Sequence, residues 1–318
     1  PKAFKILDSQ KEFDTGKGFC FNFGSKIEIE ELNLTSGGGG TNTAAAFSKQ
    51  GFKTAFCGAV GEDIAGEELT SEMKKLKIDT RFIVKKSEKP TNHSIVISSD
   101  GQERTILVYR GASDLLTKND IPWSKLKAKW FYLAPFASPK PEGVGGLGIF
   151  EEIISFAEKN NIKIACNPSK QQLSLPEDQL KRIFQKIDVL FLNQEEASFL
   201  TKISYEEETE NLKKIGEICH GVIVITKGGA GVVASDGKFI YSALPQADRK
   251  IVDTTGAGDS FASGFLSDYI RYSGDIEKAI QLGLANSAAN LAEIGAKAGL
   301  LDKNSKFERV TVTKNSVS

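Results

Sequence analysis

The stretch from Asp253 to Phe261 combines residue types that could move a phosphoryl group. It reads D-T-T-G-A-G-D-S-F, so three small residues, Gly256, Ala257 and Gly258, come directly before Asp259. Small residues allow backbone N–H groups to converge on one anion. Apolar residues then recur at helical spacing, namely Phe261, Ala262, Phe265, Leu266, Tyr269 and Ile270. The pattern predicts a helix of about four turns whose positive N-terminus would attract phosphate oxygens.

Asp259 allows two interpretations. Its carboxylate could cap the helix by accepting hydrogen bonds from the N–H groups of Phe261 or Ala262. A cap does not need two glycines and two threonines before it, whereas a general base must meet a hydroxyl aligned with the transferring phosphoryl group. We therefore predict that Asp259 is a general base beside an anion hole formed by the amides of residues 256–258.

A second motif, G-G-G-G-T-N-T-A-A, occupies residues 37–45. Alone it would indicate a flexible turn before a helix. Glycines also let the backbone approach a ligand closely, and the Asn42 amide offers a donor and an acceptor to vicinal hydroxyls. In this order the two motifs resemble the two signatures of the ribokinase-like (PfkB-type) family of carbohydrate and nucleoside kinases. The resemblance implies a kinase that uses ATP and Mg²⁺, with substrate-binding residues Gly38, Gly39, Gly40 and Asn42.

Composition agrees with a globular enzyme. The 318 residues are 40% hydrophobic and 26% charged, which is enough for one large core. The 41 basic and 41 acidic residues cancel, and no basic block indicates nucleic acid as a partner. No apolar run reaches the ~20 residues of a membrane span, so we expect a cytoplasmic protein. The cysteines are too scattered to predict a zinc site or a disulfide framework: Cys20, Cys57, Cys166 and Cys219.

Alternating helical and strand-like segments predict an α/β fold. Short apolar strands are expected at 131–134, 162–165, 189–192 and 222–225, with a helix at 149–159. The family resemblance implies a ribokinase-like three-layer α/β/α sandwich with a mostly parallel central sheet and a small β-sheet lid. Ligands of such sheets bind beyond the carboxyl ends of the strands, where Asn167, Asn193 and Thr226 fall.

Two regions show strand-like alternation without a helix. The first has Phe19, Phe21 and Phe23 before Gly24-Ser25, then Ile27 and Ile29, which predicts a hairpin. The second predicts strands at 94–97 and 105–109 around a turn at Ser99-Asp100-Gly101. We expect one domain over 1–318, with lid segments at about 14–36 and 91–111 against a core of 37–90 and 112–318. Apolar lid faces of this kind often pair, so a homodimer through the lid is expected.

The resemblance implies further site residues. Asn193 and Glu196 would organise Mg²⁺ and phosphates, with contact through water. The turn after the fourth strand and a later helix would bind ATP through Thr226, Gly228, Gly231 and Asn286. A monovalent cation, K⁺ in many family members, would bind the Asp253 carboxylate, the Thr255 carbonyl and carbonyls of a later loop that includes Asn290, Glu293 and Gly295. Gly299 of that loop stands where K⁺-binding relatives often have serine.

Two arginines flank the last lid strand. Arg104 fits a solvated charge on an edge strand. Arg110 precedes the point where the chain should re-enter the cleft, so we predict that its guanidinium contacts a substrate oxygen or the γ-phosphate.

The chain begins at Pro1 without a methionine, and we expect more sequence upstream. The family resemblance implies a buried first strand with a glycine and a substrate-binding aspartate. That strand is not found before Phe4, so this aspartate has no assignment.

The reaction predicted is transfer of the ATP γ-phosphoryl group to a primary hydroxyl of a small carbohydrate. A nucleoside kinase of the same fold is the first alternative, because Phe136, Tyr109 or the strand of Phe19, Phe21 and Phe23 could support a base. The second is a non-catalytic sugar or nucleotide sensor, since fold does not determine function. A nicotinamide-dependent oxidoreductase is disfavoured, because no strand is followed by G-x-G-x-x-G with an acid about 20 residues later.

Overall fold

The structure, a computed structural model, describes residues 4–9, 11–13, 16–97, 104–135 and 147–317. The chain forms two compact units, Pro1–Thr35 and Ser36–Ser318. The sequence predicted one domain with an inserted lid, and the boundary between the units falls at the end of the first predicted lid segment. In the part of the chain that the structure describes, no helix has the length and apolar character needed to cross a bilayer.

The first unit contains an antiparallel hairpin of β1 (Phe4–Asp8) and β2 (Lys17–Phe21). Its register pairs Phe4 with Phe21 and Asp8 with Lys17. The predicted hairpin between 19–23 and 27–29 was wrong: β2 takes its partner from upstream, and residues 26–34 form no strand. After β2, the N–H of Ser25 donates to the Asn22 carbonyl at 3.3 Å, and this turn is not followed by strand pairing. The strand that pairs with β2 is β1, which was not predicted from the sequence.

The second unit opens with helix–strand pairs. They are α1 (Gly39–Lys49), β3 (Ala55–Gly61), α2 (Ile64–Lys75) and β4 (Asp79–Lys86). The α2 helix begins where Asp63 accepts a hydrogen bond from the Gly66 N–H at 2.9 Å, a standard N-cap. Strands β3 and β4 run parallel, and the α1 alanines, Ala44, Ala45 and Ala46, pack with Met73 of α2.

A seven-stranded sheet forms the centre of the second unit. Its strands are β7 (Trp130–Leu133), β8 (Lys163–Cys166), β9 (Val189–Asn193), β10 (Val222–Thr226), β11 (Val232–Ser235), β12 (Phe239–Ala243) and β13 (Val312–Ser316). The four predicted strands, β7 to β10, are parallel, and β11 to β13 extend the sheet antiparallel. The parallel half places several carboxyl ends along one edge, where ligands of α/β sheets bind.

Helices cover both faces of this sheet. They are α3 (Leu147–Lys159), α4 (Lys170–Leu173), α5 (Glu177–Phe184), α6 (Gln194–Thr201), α7 (Glu208–Gly216), α8 (Ala257–Arg271) and α9 (Ile276–Leu291). Alternate residues of β9 enter different cores: Leu190 packs with Phe184 of α5, and Phe191 packs with Phe265 of α8. A strand buried on both faces explains the continuous apolar runs in the sequence, and the result is a three-layer α/β/α arrangement.

The second predicted lid hairpin is present as β5 (His93–Ile97) and β6 (Thr105–Tyr109). Its register pairs His93 with Tyr109 and Ile97 with Thr105. The predicted turn Ser99-Asp100-Gly101 lies outside the described residues. Apolar side chains of both strands are exposed, among them Ile95, Val96, Ile106, Leu107 and Val108. Within the described chain this hairpin is a separate two-stranded sheet.

Candidate active site

The two sequence motifs meet at the N-terminal ends of α1 and α8. The side-chain amide of Asn42 donates from Nδ2 to Asp259 Oδ2 at 2.8 Å. These residues are 217 positions apart in the chain. Helix packing therefore joins the predicted substrate-binding asparagine to the predicted base.

Three glycines of the first motif, at positions 38, 39 and 40, are required by close packing or backbone conformation. Gly38 has φ 101°, which favours glycine, and it caps α1. A Cβ at Gly39 would lie 3.2 Å from Asp259 Oδ1 and 3.2 Å from Pro135 Cδ. A Cβ at Gly40 would lie 2.8 Å from the ring of Phe56. The backbone of this motif thus lies directly against the carboxylate of Asp259.

Asp259 does not cap its helix. The α8 helix begins at Ala257 after Gly256, no side chain caps it, and the contact described for the Asp259 carboxylate is with Asn42. Burial raises the pKa of Asp259 above the ordinary aspartate value, and the hydrogen bond from Asn42 partly opposes that rise. A carboxylate with a raised pKa is a better proton acceptor than an ordinary one, which suits a general base.

The predicted anion hole is a left-handed turn that leads into α8. Gly256 has φ 81°, and a Cβ there would lie 2.6 Å from the Cβ of Ala296. The Ala257 N–H points back to the Thr254 carbonyl at 3.3 Å. The Gly258 amide belongs to the first turn, where helices lack internal acceptors, and a Cβ at 258 would meet no atom within 4 Å. The turn is therefore closed by protein at Gly256 and open at Gly258.

Asp253 organises the approach to this turn. Its Oδ1 accepts hydrogen bonds from Thr255 N at 2.8 Å and Thr255 Oγ1 at 2.7 Å, and its Oδ2 accepts from Gly295 N at 2.9 Å. Burial pulls the pKa of Asp253 upward, but these hydrogen bonds and the charge of Arg104 bring it below the ordinary value. Asp253 is therefore an ionised carboxylate at neutral pH.

Carbonyls of the predicted cation-binding loop accept hydrogen bonds from the protein itself. Asn290 is fully buried, and its Nδ2 donates to the carbonyls of Gly295 and Ala298, both at 3.0 Å. Asp253 accepts three hydrogen bonds and lies 3.7 Å from Arg104 Nη1, so its charge is already compensated by protein groups and it does not fit a bound monovalent cation. We therefore assign no monovalent cation to Asp253.

Asn193 and Glu196 form a reciprocal cap at the start of α6. Glu196 N donates to Asn193 Oδ1 at 2.7 Å, and Asn193 N donates to Glu196 Oε2 at 2.9 Å. Burial raises the pKa of Glu196, opposed by hydrogen bonds from Asn193 and Asn167. The described residues contain no cluster of three or more His, Cys, Asp or Glu side chains suited to a metal. One carboxylate at a strand end fits Mg²⁺ held through water, because Mg²⁺ retains several of its waters.

The turn between β10 and β11 has the conformation that its glycines predict. Gly228 has φ 53° and Gly231 has φ 91°, and a Cβ at 231 would lie 2.1 Å from the Ala243 carbonyl oxygen. Thr226 ends β10 and donates to the Leu192 carbonyl at 3.4 Å. The space above Gly228 is open, since a Cβ there would meet nothing within 4 Å. This turn can receive a ligand at the carboxyl end of the sheet.

The predicted role of Asn286 needs correction. Asn286 is fully buried, its Nδ2 donates to the Ser260 carbonyl at 2.7 Å, and its Oδ1 accepts from Leu301 N at 2.9 Å. Both ends of the amide are used inside the protein. Asn286 therefore joins α9 to α8 and is not placed to contact adenine.

The two lid arginines differ in their contacts, and the substrate contact of Arg110 stays a prediction. Arg110 is exposed at the end of the hairpin, and the structure describes no hydrogen bond from its guanidinium to another described residue. Arg104, expected to be solvated, donates from Nη1 to Thr255 Oγ1 at 2.6 Å and lies 3.7 Å from Asp253 Oδ1. An isolated arginine in a strand pattern carries no signal for so distant a contact, so sequence reasoning missed it.

Two buried polar atoms at the site have no partner among the described residues. They are Asn42 Oδ1 and the hydroxyl of Tyr132. Burial raises the pKa of Tyr132, and the nearby Asp259 carboxylate adds to that rise. Tyr132 lies on β7 among Phe47 and Phe191, and apolar strand periodicity gave no sign of its place near the base. The unpaired acceptor Asn42 Oδ1 can accept a hydrogen bond from a ligand hydroxyl.

The buried carboxylate of Asp259 thus lies in the first turn of α8, beside an open space at Gly258. The model of the pfkB family carbohydrate kinases matches residues 13–304, and the chain belongs to that family. It is accordingly an ATP-binding phosphotransferase with a hydroxyl group as acceptor.

Several relatives align along nearly the whole chain. The chain is 25% identical to ribokinase of Haemophilus influenzae over 292 residues, which cover 90% of each protein. It is 28% identical to cytidine kinase of Thermococcus kodakarensis over 265 residues, 81% of this chain and 88% of the relative. The solved ribokinase of Arabidopsis thaliana, in complex with ribose and ATP, has a TM-score of 0.74 at 20% identity and 89% coverage of both chains. The ribokinase-like fold predicted from the sequence is thereby confirmed.

Proposed function

We propose that the protein transfers the γ-phosphoryl group of Mg-ATP to a primary hydroxyl of a small carbohydrate, with Asp259 as general base. The observation that carries this proposal is the 2.8 Å hydrogen bond between Asn42 and Asp259 beside the turn of Gly256 to Gly258. It brings a group that can orient a hydroxyl, a group that can take its proton and a site for the phosphoryl charge into one place.

The chemistry follows from these positions. The acceptor hydroxyl donates its proton to Asp259 as its oxygen attacks the γ-phosphorus, and ADP leaves. The Gly258 amide and the positive end of α8 stabilise the charge of the transferring group. Ala257 contributes less in this conformation, because its N–H is directed to Thr254. Glycines at 38, 39 and 40 let the acceptor approach the backbone of α1.

ATP is proposed to lie along the carboxyl ends of β9 and β10. Thr226, Gly228 and Gly231 would contact the nucleotide, since the surface above Gly228 is open. Asn193 and Glu196 would hold Mg²⁺ through water, and the bound ion would supply charge neutralisation at the phosphates. The proposed catalytic residues all belong to the second unit. The segments at about 14–36 and 91–111 are proposed to act as a lid that excludes water during transfer.

A nucleoside kinase is the second candidate. It is favoured by the similarity to cytidine kinase of Thermococcus kodakarensis and to adenosine kinase of Saccharomyces cerevisiae, the latter 27% identical over 289 residues. Of the aromatic residues considered as a support for a base, Tyr109 is exposed on the lid hairpin, and Phe136 lies outside the described residues. The unpaired Asn42 Oδ1 serves either candidate, because both acceptors offer sugar hydroxyls.

A homodimer through the β5–β6 hairpin and a cytoplasmic location complete the proposal. The apolar side chains exposed on that hairpin support the dimer. Sedimentation of the wild-type chain and of a variant with Ile95→Lys and Leu107→Lys would test it, with a dimer expected only for the wild type.

The decisive experiment measures ADP release from Mg-ATP with pentoses, hexoses, sugar acids, sugar phosphates and nucleosides. The matched control is Asp259→Asn, which keeps the shape of the side chain and removes the base. We expect turnover with one acceptor class and a loss on the order of 10²- to 10⁴-fold in the control. ATP binding without turnover on any acceptor would contradict the proposal and favour a sensor.

A further inference from the structure

The loop Gly295 to Gly299 determines the shape of the anion turn. Ala296 packs so closely on Gly256 that a Cβ at 256 would overlap it at 2.6 Å. Gly256 is the residue whose left-handed conformation starts α8. A displacement of this loop would therefore change the direction of the first α8 amides.

Groups of the protein itself hold this loop in place. Asp253 binds the Gly295 N–H, and Asn290 binds the carbonyls of Gly295 and Ala298. Lys297, only 9% exposed, donates from Nζ to Glu72 Oε2 at 3.1 Å and to Ser36 Oγ at 2.5 Å. The loop is thus tied to α2 and to the segment before the first glycine motif by a buried ammonium group.

A second cationic side chain, that of Arg104, contacts the segment that precedes the anion turn. Arg104 precedes β6 of the lid hairpin, and its Nη1 contacts Thr255 Oγ1 and the Oδ1 side of Asp253. The side chains of Arg104 and Asp253 are 33% and 25% exposed, so their attraction is screened less than that of a fully exposed pair. Asp253 lies three residues before Gly256 of the anion turn, and the guanidinium of Arg104 compensates its negative charge.

We infer that Arg104 is a positioning residue that takes the place of a monovalent cation at Asp253, with Lys297 fixing the adjoining loop, so that the anion turn forms without K⁺. An ion at this place would neutralise Asp253 and gather the loop carbonyls. Arg104 performs the first task, and Asn290 performs the second. Because the Arg104 guanidinium is part of the chain, its contact with Asp253 does not depend on the concentration of a free ion. Arg104 directly precedes β6, so it also couples the hairpin to the proposed anion turn.

The test compares thermal unfolding of the full chain in KCl, NaCl and choline chloride at one ionic strength. Arg104→Gln removes the charge and retains hydrogen-bond donors for Thr255, and Arg110→Gln is the matched control on the exposed arginine of the same hairpin. We expect wild type and Arg110→Gln to unfold at the same temperature in all three salts. Arg104→Gln should unfold at a lower temperature in choline chloride and recover specifically with K⁺, increasingly with its concentration.

Either of two results would overturn the inference: a K⁺-specific rise in the wild-type midpoint, or an Arg104→Gln midpoint that is the same in the three salts. If Arg104→Gln does not fold, wild type and Arg104→Lys still test the inference. Both should unfold at the same temperature in KCl, NaCl and choline chloride. This thermal test does not require turnover.

A second measurement rests on the proposed kinase function. With an accepted substrate, Arg104→Gln should lose on the order of 10-fold in kcat/KM in choline chloride, about 1.4 kcal/mol, and regain activity in KCl. Wild-type activity should be equal in the two salts. Absence of turnover with every acceptor would count against the kinase and leave the thermal result standing.

Discussion

Gly39 leaves the space that the carboxylate of Asp259 occupies: a Cβ at position 39 would stand 3.2 Å from Asp259 Oδ1. The first glycine motif, proposed to form part of the acceptor site, therefore also packs against the carboxylate proposed as the base. The position of the Asp259 carboxylate can therefore be tested by itself, because residue 39 can be enlarged without altering any polar side chain.

Gly39→Ala should displace Asp259 and lower kcat. The added methyl group is also 3.2 Å from Pro135 Cδ, so neither neighbour offers free space, and overpacking should reduce stability by about 1–3 kcal/mol. Gly37→Ala is the control, because a Cβ at 37 would meet no atom within 4 Å. Equal kcat for the two variants would show that Gly39 does not position the base.

Gly258→Ala should impair phosphoryl transfer and leave folding intact. The methyl group would enter the open space above the first turn of α8, where the proposed phosphoryl group lies. Alanine also has the higher helix propensity, by about 0.8–1.0 kcal/mol. We expect an unfolding temperature at or above that of wild type, with kcat/KM reduced at least 10-fold, about 1.4 kcal/mol of transition-state stabilisation. A fully active Gly258→Ala enzyme would contradict the assigned anion hole.

Asp259→Asn should stabilise the protein at neutral pH. The pKa of Asp259 is raised in the folded state, so the folded protein binds more protons than the unfolded chain between the two pKa values. The free energy of unfolding therefore falls as pH rises through that window. Asparagine does not ionise, so the variant keeps its stability there. Denaturant unfolding at several pH values should show the advantage of the variant at pH 7 and its disappearance near pH 3.

The acidic limb of the kcat/KM profile should report the same group. Activity needs ionised Asp259, so the rate should fall on acidification at a pH above the ordinary aspartate range. Asn42→Ala removes the hydrogen bond that lowers the pKa of Asp259, and the limb should move to higher pH. Arg110→Ala does not remove this hydrogen bond and should leave the limb unchanged. An unmoved limb in Asn42→Ala would refute the assignment.

Two glycines allow the steric requirement of the β10–β11 turn to be measured. Gly231 and Gly237 both have positive φ, 91° and 81°, but only at 231 would a Cβ overlap a backbone carbonyl, that of Ala243 at 2.1 Å. Gly237→Ala should cost about 1–2 kcal/mol for the left-handed conformation alone. Gly231→Ala should cost clearly more in denaturant unfolding, and equal losses would argue against the close approach.

Most of the central architecture could be predicted because it depends on local patterns. The strands β7 to β10 and the helix α8 carry their periodicity within a few residues, and the two motifs specify the surroundings of Asn42 and Asp259. Fold recognition and reaction class followed from the same residues.

Long-range contacts were the part that the sequence could not supply. The hairpin was misassigned because strand alternation identifies β2 without identifying its partner β1. Asn286 and Asn290 carry amides suited equally to a ligand or to buried carbonyls, and only the packing of α9 on α8 distinguishes these uses. Arg104 reaches Thr255 across 151 positions, a separation at which spacing carries no information.

The exposed β5–β6 hairpin has a consequence for how this enzyme can change. Its apolar side chains contribute little to the interior, and exposed substitutions usually alter stability by no more than about 0.5 kcal/mol. The carboxylate and the amides that carry out the proposed chemistry lie instead on helices embedded in the core. The exposed apolar positions of the hairpin can therefore diverge in sequence at little cost to folding, while the positions on the core helices cannot.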